Sequence, residues 1–281
     1  CGYREQLFDG VIYKPWWSWN FRDKQDVIIA RRSPKICDYN PNCDNIYVDL
    51  HDTVLPGEFN EKRLAKIKKI FVKSNAHRIL YPDVPDERFV VVPNGIHWDA
   101  FQENIEKDPY LIINTSSPDR SVEAVIKCFE LVKQEVPEAK LHWAYGWKVF
   151  DVVHSDDPKK MEWKENLVKR MENVEGFTNL GRIGHNEIAK LYQKARVFLY
   201  PTEFYEIDCI SARKAQAGGA VPITTDFAAL GETVQYGFRE HSEKNKDTWC
   251  KPFQFNYALE DEQKIRKLTE ETIKVLKEQP E

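Results

Sequence analysis

Between Val197 and Gly219 the chain reads as an apolar β-type run, a short acidic loop and a small-residue helix. Val197, Phe198 and Leu199 form the run, Glu206 sits in the loop, and Ala212, Ala215 and Ala217 populate a helix that Gly218 closes. A strand, a tight loop and a helix in that order leave the helix's first N–H groups unpaired above the strand. Such a helix end favours anions, phosphate above all.

The same alternation of short apolar runs and helical patterns fills the chain, which predicts βα units and mostly parallel sheets. In the first part, strands are expected at Asp26–Ala30, Ile46–Leu50, Ile70–Val72 and Phe89–Val92. A helix over Glu61–Lys68 and another after Asn75 fall between the later ones. Pro93-Asn94-Gly95 is turn chemistry and separates two such series. The second series opens with Leu111-Ile112-Ile113, followed by a helix with Val122, Val125, Ile126, Phe129 and Val132 on one stripe. Further strands are expected at Leu141–Ala144, Phe177–Leu180, Val197–Leu199 and Ala220–Thr224, with helices at Pro158–Met171 and Ile188–Ala195. Ile265, Leu268, Ile273 and Leu276 mark a last amphipathic helix whose charged face is solvated. The fold class is therefore α/β, with two Rossmann-like domains, and ligands in such sheets sit beyond the strands' carboxyl ends.

At 281 residues the chain accommodates about two domains. A net charge of −4 lacks the basic excess of a general nucleic-acid binder. No apolar run reaches membrane-spanning length and no signal peptide is visible, so a soluble cytoplasmic protein is expected, with membrane association at most peripheral. The cysteines are scattered without a CxxC pair and read as unpaired thiols of a reducing compartment. Cys37 and Cys43 are the two that could pair or bind metal, but no histidine is near enough to complete a zinc set. Trp16, Trp17 and Trp19 read first as core or domain-edge packing, with acceptor stacking or a membrane interface as alternatives.

Glu206 precedes the helix end where phosphate would sit, and a carboxylate there can accept hydrogen bonds from hydroxyls on a phosphate-linked group. The two features together suggest a nucleotide sugar. Arg120 supplies a guanidinium able to pair bidentately with phosphate oxygens; otherwise it is a solvated charge at a helix start. Asp208, Cys209 and Ile210 matter through their backbone N–H groups, and Asp208 serves equally well as a plain N-cap.

Several pieces in order resemble the retaining GT-B glycosyltransferases of family 4. Ile70-Phe71-Val72-Lys73-Ser74 with Val90-Val91-Val92-Pro93-Asn94-Gly95-Ile96 is similar to the family's interdomain signature. Ser116-Ser117-Pro118-Asp119-Arg120 resembles its phosphate-contacting loop, and Gly181-Arg182-Ile183-Gly184 with Leu191–Ala195 resembles its base-pocket loop and helix. The Glu206 stretch occupies the place of the paired-glutamate motif, but Lys214 stands where the second glutamate falls. The strand and glycine-rich loop that open the family's N-terminal domain have no counterpart, so that domain is expected to be incomplete.

The resemblance implies a GT-B-like chain with an interdomain cleft: a truncated acceptor-side domain over 1–97, a nucleotide-sugar domain over 98–258, and a helix over 259–281 that crosses back. It implies metal-independent transfer with retention, from a nucleotide-diphosphate sugar to a glycan, lipid or protein-linked acceptor. His51 and Glu206 would orient the sugar. Ser117, Arg120, Arg182, Ile183, Gly184, Asp208, Cys209, Ile210 and Lys214 would bind the donor. No cofactor or metal is expected, since no Asp-x-Asp pair occurs. One rival is a non-catalytic nucleotide-sugar-binding module, which Lys214 and the short first domain motivate. A dinucleotide-dependent oxidoreductase is disfavoured because no GxGxxG follows any expected strand.

Overall fold

The computed structural model describes residues 4–52, 58–242 and 256–278. The chain divides into two compact units, Cys1–Pro93 and Asn94–Glu281.

In the first unit β3 (Ile28–Arg31), β4 (Ile46–Asp49), β5 (Ile67–Val72) and β6 (Phe89–Val91) form a parallel sheet in that order. Ile28, Ala30, Ile46, Val48, Ile70 and Val72 are buried, whereas Ile29 between them is exposed, so the period-2 pattern points one face to the core. The helix expected over Glu61–Lys68 is cut short: α1 covers Glu61–Leu64. Ala65 and Lys66 form a turn, and the sheet claims Ile67 and Lys68, with Ile67 buried as the first residue of β5. A hairpin absent from the sequence reading, β1 (Gln6–Phe8) with β2 (Val11–Tyr13), turns at Asp9-Gly10. Both turn residues have positive φ, the conformation that Asp-Gly hairpin turns favour. Trp16, Trp17 and Trp19 are not core residues: they lie on and after a short 3-10 turn and are exposed.

Helix α2 (Asn75–Arg78) follows β5 and is capped by the Ser74 hydroxyl, which accepts from the His77 N–H at 2.9 Å. The His77 ring is fully buried. Its Nδ1 accepts from the Lys73 N–H at 3.1 Å and its Nε2 donates to the Asp52 carbonyl at 3.1 Å. Burial pushes this histidine down to about 4, so it is held neutral.

The second unit is built on β7 (Asp108–Asn114), β8 (Lys140–Trp143), β9 (Phe177–Asn179), β10 (Ala195–Tyr200), β11 (Val221–Thr225) and β12 (Phe238–Glu240). They form one parallel sheet in the order β12-β11-β10-β7-β8-β9, with β12 an edge strand beyond those expected. Both faces are covered. Ile112, Val197, Leu199 and Ile223 pack with α3 (Glu123–Glu135) and α9 (Glu262–Lys277). Leu111, Ile113, Phe198 and Tyr200 pack with α6 (His185–Lys194) and α7 (Ile210–Ala217). Strands buried on both faces read as continuous apolar runs, which is why these were legible. Helices α4 (Lys148–His154) and α5 (Pro158–Glu172) follow β8, and α8 (Leu230–Thr233) follows β11.

The strand order reverses between β7 and β10. Successive crossovers leave in opposite directions there, so the loops after these two strands part and open a crevice at their carboxyl ends. Among the described residues no helix is long and apolar enough to cross a membrane. Cys37, Cys43, Cys128 and Cys209 are free thiols, so Cys37 and Cys43 do not pair; Cys1 and Cys250 lie outside the described residues.

Candidate functional site

The crevice between β7 and β10 is fixed by Asn114, the last residue of β7. Its buried amide donates to the Leu199 carbonyl at 2.9 Å and to Ser121 Oγ at 3.2 Å, tying the two strands at the switch point. Asn114 Oδ1 accepts from the Ser116 hydroxyl at 2.8 Å, and Trp143 Nε1 donates to the Ser116 carbonyl at 3.0 Å. The loop carrying Ser117 is therefore pinned from two sides before a π-type turn, Pro118–Val122, presents Arg120.

Arg120 meets Glu206, the residue from the loop after β10. Its Nη1 lies 3.1 Å from Glu206 Oε1, and the Tyr200 hydroxyl donates to the same oxygen at 2.7 Å. The guanidinium carbon sits 3.8 Å from the Phe204 ring centroid, a cation–π contact, and Phe204 is propped edge-on by Tyr257 at 5.0 Å. Thr202 Oγ1 donates to the Arg120 carbonyl at 2.6 Å and ties the two loops together. Burial alone would weaken the Arg120 charge, but Glu206 outweighs it and holds the guanidinium firmly protonated. Burial, reinforced by Glu206, pushes the Tyr200 phenol well up, so it stays a donor.

Helix α7 begins beside this pair, and no side chain caps it. Its N-cap is Cys209, not Asp208. The Asp208 carboxylate is turned inward, accepting from the Asn94 N–H at 2.6 Å, Arg213 Nε at 2.7 Å and Thr233 Oγ1 at 3.3 Å. The plain N-cap reading of Asp208 is thus corrected, for its oxygens are spent on anchoring the helix. Cys209 is buried, its thiol pushed well up by that burial, while Ile210 is 41% exposed.

A pocket of about 260 Å³ lies alongside, between the loops after β7 and β9 and the flank of α7. Thr115, Tyr145, Arg182, His185, Ser211 and Lys214 line it, with Ile183 among the apolar walls. Two glycines stand next to its lining residues Tyr145 and Arg182. Gly146 (φ +73°) would place a Cβ 2.9 Å from Gly181 Cα, and Gly181 itself has φ +63°. Gly184 is the N-cap of α6. Burial lowers the Lys214 ammonium from its ordinary range.

Of the residues singled out by sequence, the second unit brings Ser117, Arg120, Glu206, Cys209 and Ile210 around one crevice, with Arg182, Ile183 and Lys214 on the adjoining pocket. His51 belongs to the first unit, where its Nε2 pairs with Asp49 Oδ2 at 2.7 Å; Lys73 Nζ holds the other Asp49 oxygen at 2.6 Å. Tyr200, Phe204 and Thr115 escaped the sequence reading. An aromatic at the end of an apolar strand looks like core, and only the preceding β-run against the Glu206 loop hinted at Tyr200.

The sequence matches no protein-family model and no curated protein. Solved structures with the same fold include glycosyltransferases. S. aureus TarM, in complex with UDP, shares 15% identity at a TM-score of 0.52, covering 84% of this chain and 44% of that one. The pneumococcal O-GlcNAc transferase GtfA, in complex with UDP and GlcNAc, shares 11% at 0.56, covering 91% and 50%. Anabaena HepE, in complex with UDP-glucose, shares 14% at 0.58, covering 89% and 73%. The chain spans about half the length of the first two. Likeness at these identities establishes the fold, α/β and GT-B-like.

Proposed function

We propose that this chain belongs to a glycosyltransferase that takes a sugar from a nucleotide-diphosphate donor. The observation that carries the reading is the uncapped start of α7, beside the Arg120–Glu206 pair, at the switch point of a sheet with this fold. An open helix start offers N–H groups to a diphosphate, and Arg120 adds a fixed positive charge. Glu206 offers oxygens to sugar hydroxyls. As the donor's leaving diphosphate gains negative charge, these fixed donors stabilise it. The pocket lined by Arg182, Ile183 and Lys214 takes the nucleoside, with Ser117 and Gly184 on the loops that frame it.

The finer assignment follows the sequence resemblance: family 4, retention by same-face attack in which the donor phosphate takes the acceptor's proton, no metal, and a glycan, lipid or protein-linked acceptor. His51 contacts the sugar in this reading, so His51→Ala lowers turnover while leaving nucleotide affinity in place. A donor-binding module without transfer is the second reading. Lys214, standing where the resemblance expects a second glutamate, motivates it.

Calorimetric titration with UDP-, GDP-, ADP- and TDP-sugars tests the proposal. One of them binds, and Arg120→Ala and Glu206→Ala each weaken it at least about tenfold, a loss of about 1.4 kcal/mol or more. Unchanged affinity in both variants removes the site. Transfer to an acceptor, assayed with and without chelator, separates enzyme from module.

A further inference from the structure

Two arginine–carboxylate pairs of this chain close as forks. Arg63 meets Asp38 through Nε at 3.0 Å and Nη2 at 2.6 Å, one nitrogen to each oxygen, and Arg170 meets Glu130 in the same way. A planar guanidinium and a carboxylate favour that two-point match. Single-point pairs such as Arg32–Asp52 and Arg78–Asp86 involve carboxylates more than half exposed, where water can take the second oxygen. Arg120 and Glu206 fit neither case. One contact joins them, Nη1 to Oε1 at 3.1 Å, yet the Glu206 side chain is buried. The Tyr200 hydroxyl takes the same oxygen at the shorter distance of 2.7 Å. Among the described residues no hydrogen bond engages Glu206 Oε2.

Tyr200 is buried at the end of β10, and the other β10 ring on that face of the sheet is Phe198, 5.8 Å away between centroids. A ring without a hydroxyl therefore satisfies this packing. A buried phenol needs a partner, and the partner here is Glu206. The Glu206 backbone is held on both sides, its N–H donating to the Phe204 carbonyl at 2.9 Å and its carbonyl accepting from the Ala229 N–H at 3.0 Å. With the main chain fixed, side-chain torsions alone decide where Oε2 sits.

We propose that Tyr200 is a positioning residue for Glu206: its hydroxyl keeps the carboxylate out of a two-point pair with Arg120 and so leaves Oε2 free to accept from a hydroxyl of the donor sugar. The inference rests on the donor reading above and deepens it. The nucleoside and the diphosphate are read by other groups in that reading, so the Tyr200 hydroxyl bears on the sugar alone.

The test is calorimetric titration of the full chain, wild type and Tyr200→Phe, with UDP-, GDP-, ADP- and TDP-sugars and with the four nucleoside diphosphates alone. Tyr200→Phe keeps the ring and lets the carboxylate close on Arg120. It weakens the preferred nucleotide sugar by about tenfold, the size of one charge-assisted hydrogen bond, while the matching diphosphate stays within about threefold of wild type. Losses that differ by less than about threefold between the two ligands overturn the inference, whether both fall together, as a purely structural role requires, or neither falls. The donor reading survives either of those results. Absence of binding by every ligand to the wild type overturns both.

Discussion

Replacing Arg120 by Met keeps a side chain over Phe204 but removes the charge that faces Glu206. Three contributions are lost or created. The cation–π contact at 3.8 Å is worth about 0.5–2 kcal/mol. The charge-assisted bond at 3.1 Å is worth about 1.5–3 kcal/mol before screening, and the Arg120 side chain is 37% exposed, which places it at the lower end. The Glu206 side chain, only 9% exposed, is left with the Tyr200 hydroxyl as its remaining partner among those the structure shows at Oε1. The sum is a loss of about 2–4 kcal/mol, within the range for breaking a partly buried pair. Changing Glu206 to Gln in the same chain removes the stranded charge and keeps a hydrogen-bonding group for Tyr200. The double variant is therefore more stable than additivity allows, by about 1–2 kcal/mol. Native-state amide exchange of β7 and β10 reports the second unit by itself and supplies the four stabilities. Additivity within about 0.5 kcal/mol would refute an energetically coupled pair and leave only a geometric coincidence.

Lys107 gives a second prediction. Its ammonium donates to the carbonyls of Gln193, Ala195 and Gly218 at 2.9, 3.0 and 2.9 Å, collecting the carboxyl ends of α6 and α7. Lys107→Met strands these acceptors and costs about 3 kcal/mol, lowering the melting point of the second unit by several degrees, read by calorimetry. His77 makes the first unit acid-sensitive. With its folded value depressed to about 4 against 6.5 unfolded, the unfolded chain binds the proton first. Stability is therefore full above pH 6.5 and falls by about 3 kcal/mol as pH drops to 4, and exchange of β4 and β5 amides should show it; a flat profile over that window contradicts the neutral buried ring. Gly146→Ala requires a side chain at φ +73° against Gly181 and should cost about 1–3 kcal/mol while abolishing nucleotide binding, measured by titration.

Periodicity made the second unit legible because its strands are apolar on both faces and α3 carries an unbroken stripe. The same rule failed at Ala65–Lys68, where a helix-compatible stretch turns and then enters β5 at Ile67, and at β12, whose three residues carry little signal. The hairpin at Asp9-Gly10 had its turn dipeptide in plain view, but the flanking strands are short and exposed. At the site, Glu206 and the helix start were readable from local order in the chain. The clasp of Tyr200, Phe204 and Arg120 was not, since it joins loops 80 or more residues apart. Nor was the inward turn of Asp208, which depends on Asn94, Arg213 and Thr233 arriving from three separate segments.

The most direct test is hydrogen-exchange mapping of the full chain with and without saturating nucleotide-diphosphate sugar. Protection should rise in residues 115–120, 181–185 and 206–214, and most at the first N–H groups of α7. Protection confined to other segments, or an α7 start that exchanges at the same rate with donor bound, would contradict an anion held at that helix end.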